Sequence, residues 1–178
     1  MQISPLFFYS DFIRSIPRNL YTDHYGDIES YTKTTLKLID DLIKHINKDD
    51  TLFEIGSGNG IAIHYLNFLG YECSGFDKAE DFRNCYKRLD IEDKFESFEI
   101  KKQNWIEYIN SRKEDVIFSL RFFVFDRHFE DDPKYIKNIR KKLFLQVSDK
   151  FSVSRPNIYN YMLNNARVIN IENNSFLL

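Results

Sequence analysis

From residue 28 onward, apolar positions follow two rhythms, a helical one and short uninterrupted runs. Leu36, Ile39, Leu42, Ile43 and Ile46 recur at helical spacing and predict a helix over 28–46. Lys48-Asp49-Asp50 breaks that pattern, and 51–55 reads as a strand followed by Gly56-Ser57-Gly58-Asn59-Gly60. A helix is expected over 61–69, with Gly70 where a C-cap glycine belongs. Further strands are expected over 71–76, ending at Asp77, and over 95–100, 116–120 and 143–147. The run 116–120 is continuously apolar, as in a strand covered on both faces. Helices are expected over 79–89, 105–111 and 157–165. Asp131-Asp132-Pro133 reads as the start of another helix running to Lys142, with acids at the positive dipole end and proline in the first turn. Residues 167–171 and 175–178 read as two closing strands around the turn Glu172-Asn173-Asn174.

Strands alternating with helices imply βαβ units, an α/β class and a mostly parallel sheet with right-handed crossovers. Ligands of such sheets bind beyond the carboxyl ends of the strands, where strand order reverses, and the glycines after the first strand mark that point. Residues 1–26 hold Pro5, Pro17 and a cluster of aromatics, and read as an irregular N-terminal arm or lid. No repeat or Gly/Ser-rich linker divides the remainder, so 27–178 is expected to be a single domain.

Composition narrows the function classes. Seventeen Phe and eleven Tyr supply the volume for a core. A formal net charge of −2 argues against a general polyanion binder. The basic run Arg140-Lys141-Lys142 is expected to close the 131–142 helix and complement its negative end. Cys73 and Cys85 are isolated thiols without a CxxC pattern, which suits a reducing compartment and a cytoplasmic protein. The first twenty residues lack a basic leader and a long apolar stretch, so neither a signal peptide nor a membrane span is expected.

The chemistry concentrates in Leu52-Phe53-Glu54-Ile55-Gly56-Ser57-Gly58-Asn59-Gly60. Alternate glycines permit a tight turn and close backbone approach to a ligand. A dinucleotide site would need GxGxxG, and Ile61 stands where its last glycine belongs. An acid two residues before the first glycine suits a cation better than a pyrophosphate, so Glu54 would face an ammonium or sulfonium.

This stretch resembles the first motif of the class I S-adenosylmethionine-dependent methyltransferases, an apolar strand and an acid before GxGxG. The resemblance implies a three-layer Rossmann-like sandwich whose seven-stranded, mostly parallel sheet ends in a C-terminal antiparallel hairpin. It implies S-adenosylmethionine as cofactor, contacted by Glu54, Gly56, Ser57, Gly58 and Gly60. Asp77 matches the acid that ends strand two and accepts from the ribose hydroxyls. Asn104, with Gln103 as competitor, matches the position that meets the adenine amine; Trp105 would pack on the adenine face or anchor the core. Ser119, heading the segment after strand four, joins the cofactor set. The likeness is specific at 52–60 and Asp77, and extends over about 20–178 in the order of elements.

The implied reaction is in-line displacement at the methyl carbon, needing neither a covalent intermediate nor a metal. In this family the segment after strand four identifies the acceptor. Ser119-Leu120-Arg121-Phe122-Phe123 lacks the Asn/Asp-Pro-Pro-aromatic signature of base-amine enzymes, and no cysteine beyond Cys85 could attack cytosine. Nucleic acid is therefore not the expected acceptor, which leaves an oxygen or nitrogen of a small molecule or protein side chain. His24, Tyr25, Asp126 and His128 are the candidate bases, each also readable as a surface or packing residue. Tyr21 and Tyr25 resemble lid aromatics, and Phe122-Phe123-Val124-Phe125 would line an apolar pocket or pack against a helix. Core or surface roles suit His64 and His45. The competing reading is a non-catalytic binding or interaction module built on the same fold; an oxidoreductase is weakened by Ile61.

Overall fold

The computed structural model of the protein describes residues 4–16, 27–78, 80–97, 105–120, 130–147, 150–170 and 175–178. Strands β1 (Leu52–Ile55), β2 (Cys73–Asp77), β3 (Phe95–Ser97), β4 (Val116–Ser119), β5 (Lys142–Gln146), β6 (Arg167–Asn170) and β7 (Ser175–Leu177) form one sheet. Their order is β3-β2-β1-β4-β5-β7-β6. The pairs β1/β2, β1/β4, β2/β3 and β4/β5 are parallel, while β7 runs against both β5 and β6. The α/β class, the mostly parallel sheet and the antiparallel C-terminal pair are as expected from the sequence.

Alternation along the strands divides the core into two layers, because successive side chains point to opposite faces. Leu52, Val116, Phe118 and Phe144 face α1 (Pro5–Arg14), α2 (Ile28–Ile43), α3 (Ile61–Phe68) and α4 (Arg83–Arg88). Phe53, Ile55, Ile117, Leu143 and Leu145 face α5 (Trp105–Ser111), α6 (Lys134–Lys137), α7 (Phe151–Ser154) and α8 (Pro156–Asn165). All nine are essentially inaccessible to solvent. Burying each contributes roughly 1.5–3 kcal/mol, so coverage from both sides holds the sheet together. Among the described residues no helix is long and apolar enough to cross a membrane.

Two sequence expectations are corrected. The N-terminal arm is not irregular throughout: 5–14 are helical, with Pro5 in the first turn, where its missing N–H leaves no bond unmade. Tyr9, Phe12, Ile13 and Ile16 then form one buried stripe. The helix expected over 131–142 is only α6, and Lys142 belongs to β5, where it pairs with Val116. Only Lys142 of the basic run enters the sheet, in register with Val116, while Arg140 and Lys141 lie beyond the end of α6 at Lys137, so the run does not close that helix. Lys141 Nζ instead donates to the Glu114 carbonyl at 3.1 Å and Lys142 Nζ to the His45 carbonyl at 2.5 Å. Asp131 also serves another helix: its carboxylate accepts from the N–H groups of Asn157 and Ile158, both at 2.9 Å, at the start of α8.

Smaller departures lie at element ends. The helix expected over 79–89 is a 3-10 turn, Glu80–Phe82, leading into α4, and α2 stops at Ile43. Gly70 does end α3, with φ +84° just beyond the C-cap Leu69. Cys73 and Cys85 are both free and buried.

Candidate functional site

The strand order reverses beside β1. The chain steps from β1 outward through β2 to β3, then returns to lay β4 on the other flank of β1. The crevice of such a sheet opens beyond the carboxyl ends of β1 and β4. Residues 56–60 leave β1 at that point.

Gly56, Gly58 and Gly60 adopt φ of +68°, +50° and +78°, left-handed values that carry a steric cost for any residue with a β-carbon. Two of them differ in what surrounds them. Among the described residues a Cβ on Gly56 would meet nothing within 4 Å, whereas one on Gly60 would lie 2.8 Å from Cε2 of Tyr86. Gly56 thus leaves open space at the strand end, and Gly60 permits close packing beneath the loop.

Several hydrogen bonds fix the loop. Ser57 N donates to the Phe76 carbonyl at 2.9 Å, and Gly60 N to the Ser57 carbonyl at 3.0 Å. Gly58 N donates to Asp77 Oδ2 at 3.1 Å, joining the ends of β1 and β2. The Tyr86 hydroxyl donates to Ser57 Oγ at 2.5 Å. Ser119 Oγ donates to the Ile55 carbonyl at 2.8 Å, joining the ends of β4 and β1. Asn59 Oδ1 accepts from Ile61 N at 3.2 Å, satisfying a donor in the first turn of α3.

Glu54 shares the α3-facing side of β1 with Leu52 and is 4 % exposed. Among the described residues its Oε2 has no hydrogen-bond partner, and the Nδ2 of Asn59, 3 % exposed, has none either. Burial, with Asp77 nearby as a second cause, raises the Glu54 pKa well above its ordinary value. An unsatisfied buried carboxylate is costly in isolation. A cationic ligand beside it would remove that cost. The open space at Gly56, the orphaned Glu54 oxygen and the Asp77 carboxylate together fit a ligand carrying a positive charge and vicinal hydroxyls.

Glu54, Gly56, Ser57, Gly58, Gly60, Asp77 and Ser119 therefore gather at the carboxyl ends of β1, β2 and β4. The Ser57 and Ser119 hydroxyls are engaged within the protein. Trp105 begins α5. Tyr21, His24, Tyr25, Gln103, Asn104, Asp126, His128 and the 122–125 run lie outside the described residues. His64 has a packing role: its Nδ1 shares a 2.6 Å hydrogen bond with the Tyr9 hydroxyl, and burial lowers its pKa. Sequence reasoning missed Tyr86 and Asn59. Asn59 had a signal, a short amide just ahead of a helix. Tyr86 had none, since its partner Ser57 lies 29 residues away.

Sheet order, three layers and a glycine loop at the reversal define the fold of the class I S-adenosylmethionine-dependent methyltransferases. Among solved structures, the chain is similar to magnesium protoporphyrin IX methyltransferase of Synechocystis PCC 6803, crystallised with bound S-adenosylmethionine. The TM-score is 0.57 at 14 % identity, covering 99 % of this chain and 96 % of that one. DhpI in complex with S-adenosylhomocysteine gives 0.51 at 15 % identity, covering 97 % and 76 %. The tRNA (uracil-54, C5)-methyltransferase of Pyrococcus abyssi, also with S-adenosylhomocysteine, gives 0.51 at 13 % identity, covering 82 % of this chain and 37 % of that one. No family model and no curated protein matches the sequence. At such identities the likeness is one of fold, and residue roles rest on the geometry above.

Proposed function

We propose that the protein transfers a methyl group from S-adenosylmethionine to an oxygen or nitrogen atom of a small molecule or protein side chain. One observation carries the reading: the orphaned, buried Glu54 carboxylate beside the open space at Gly56. Bound there, S-adenosylmethionine would supply an electrophilic methyl on a sulfonium, so the protein needs no nucleophile of its own.

Gly56 would let the ligand lie against bare backbone, and Glu54 would set a negative charge toward its cationic portion. Asp77 would accept from the ribose hydroxyls, in charge-assisted bonds, while still holding Gly58 N. Ser119 would act indirectly, through the Ile55 carbonyl it engages. Asn104 would meet the adenine amine, and Trp105 would pack on the adenine face or anchor the core. His24, Tyr25, Asp126 and His128 are the groups from which a base would come if the acceptor is a hydroxyl. The acidic net charge, −2, supports an acceptor other than nucleic acid.

The test is transfer of a labelled methyl group into fractionated cell extract. Label in a small-molecule or protein fraction is the expected result. Label in a nuclease-sensitive fraction would overturn the acceptor assignment. No label, with S-adenosylhomocysteine still bound, would favour the non-catalytic module.

A further inference from the structure

We propose that Tyr86 is a positioning residue for the cofactor loop, acting through Ser57 and Gly60 without touching the ligand; this rests on the function proposed above. A segment with three left-handed glycines has wide conformational freedom, and a ligand that binds one conformation must first select it. Preorganisation therefore raises affinity without adding contacts. Tyr86 engages the loop at two points. Its hydroxyl donates to Ser57 Oγ at 2.5 Å, and its ring lies so close to Gly60 that a Cβ there would fall 2.8 Å from Cε2.

The tyrosine is itself firmly held. Tyr86 is fully buried, and its ring centroid lies 4.7 Å from that of Phe95 on β3. Its carbonyl accepts from Leu89 N at 3.1 Å and Ile91 N at 3.0 Å. Burial pushes the phenol well above its ordinary pKa, so it stays a neutral donor at physiological pH. Ser57 in turn has its own N–H bonded to the Phe76 carbonyl at the end of β2. The brace thus runs from α4 through Ser57 to the strand ends where Gly56 leaves its open space.

A phenylalanine at 86 would keep the ring and its packing but orphan Ser57 Oγ. S-adenosylhomocysteine titration of the wild type, Tyr86→Phe, Ser57→Ala and the double variant, with thermal melting of each, tests the proposal. Each single variant is expected to weaken binding about five- to tenfold, the size of one buried hydrogen bond, and the double variant no further than either single one. Losses that add, or melting temperatures that fall while affinity is unchanged, would reduce Tyr86 to a core residue and overturn the proposal. If Tyr86→Phe does not fold, Phe95→Leu, which loosens the seat of the Tyr86 ring and keeps its hydroxyl, decides the matter: weaker S-adenosylhomocysteine binding is expected, and unchanged binding would overturn the proposal. A wild type that binds no S-adenosylhomocysteine removes the proposed function, and this inference with it. Wild-type binding with unchanged variants removes the inference alone.

Discussion

Residues 56 and 60 share a backbone conformation and differ in surroundings, so alanine at each separates two physical costs. At Gly56, with φ +68° and nothing within 4 Å of an added Cβ, alanine costs about 1 kcal/mol for the left-handed backbone alone. Gly56→Ala is expected to fold almost as stably as the wild type and to lose stabilisation by S-adenosylhomocysteine. At Gly60 the same backbone cost is joined by a clash with Tyr86, for a total of roughly 2–4 kcal/mol. Urea unfolding of the two variants measures the difference; equal losses would contradict the assignment of open space to one and packing to the other. Glu54 supplies a pH dependence. Burial raises its folded pKa above the unfolded value, so the folded state holds the extra proton between them. Its stabilising effect is complete below the unfolded pKa and is lost as pH rises through the folded one. Glu54→Gln carries no such proton. The variant should melt above the wild type at about pH 8, and the gap should narrow as pH falls toward about 5. A gap independent of pH would mean that Glu54 does not titrate in the folded chain. The glycines and acids of this site were legible because backbone conformation and charge demand those residue types locally. The inward hydroxyls of Ser57 and Ser119 were not, since each partner, Tyr86 or the Ile55 carbonyl, is remote in sequence.

At the scale of elements, the errors have a common origin. α1 carries a readable stripe, Tyr9, Phe12 and Ile13, continued by Ile16 beyond its end, and Pro5, which with Pro17 suggests an irregular arm, stands where a helix tolerates it. α6 was read as too long because pairing between Val116 and Lys142 is non-local, and no helical pattern reveals where a distant strand will claim its partner. Asp131 illustrates the same limit: its place in sequence pointed to α6, yet its carboxylate closes the start of α8. Asp131→Ala should cost about 1 kcal/mol, as for a lost cap. Hydrogen exchange should accelerate at the amides of Asn157 and Ile158 and leave α6 unchanged. Acceleration confined to α6 would restore the sequence reading.

At the scale of the whole molecule, alternation of strands and helices sufficed for the α/β class, because strands covered on both faces must be apolar along their length. The position of β7 between β5 and β6 was not legible, since short closing strands look alike until paired. What the fold does for the site is geometric. In sheets of this kind the ligand crevice lies beyond the carboxyl ends at the reversal, here beside β1, and Gly56 places no side chain at that point. A crystal structure of the protein grown with S-adenosylhomocysteine tests this most directly. Adenosine against Gly56, with its ribose hydroxyls on Asp77 and the amino acid portion turned toward Glu54, is the predicted result. An intact loop with the ligand absent or seated elsewhere would contradict the account.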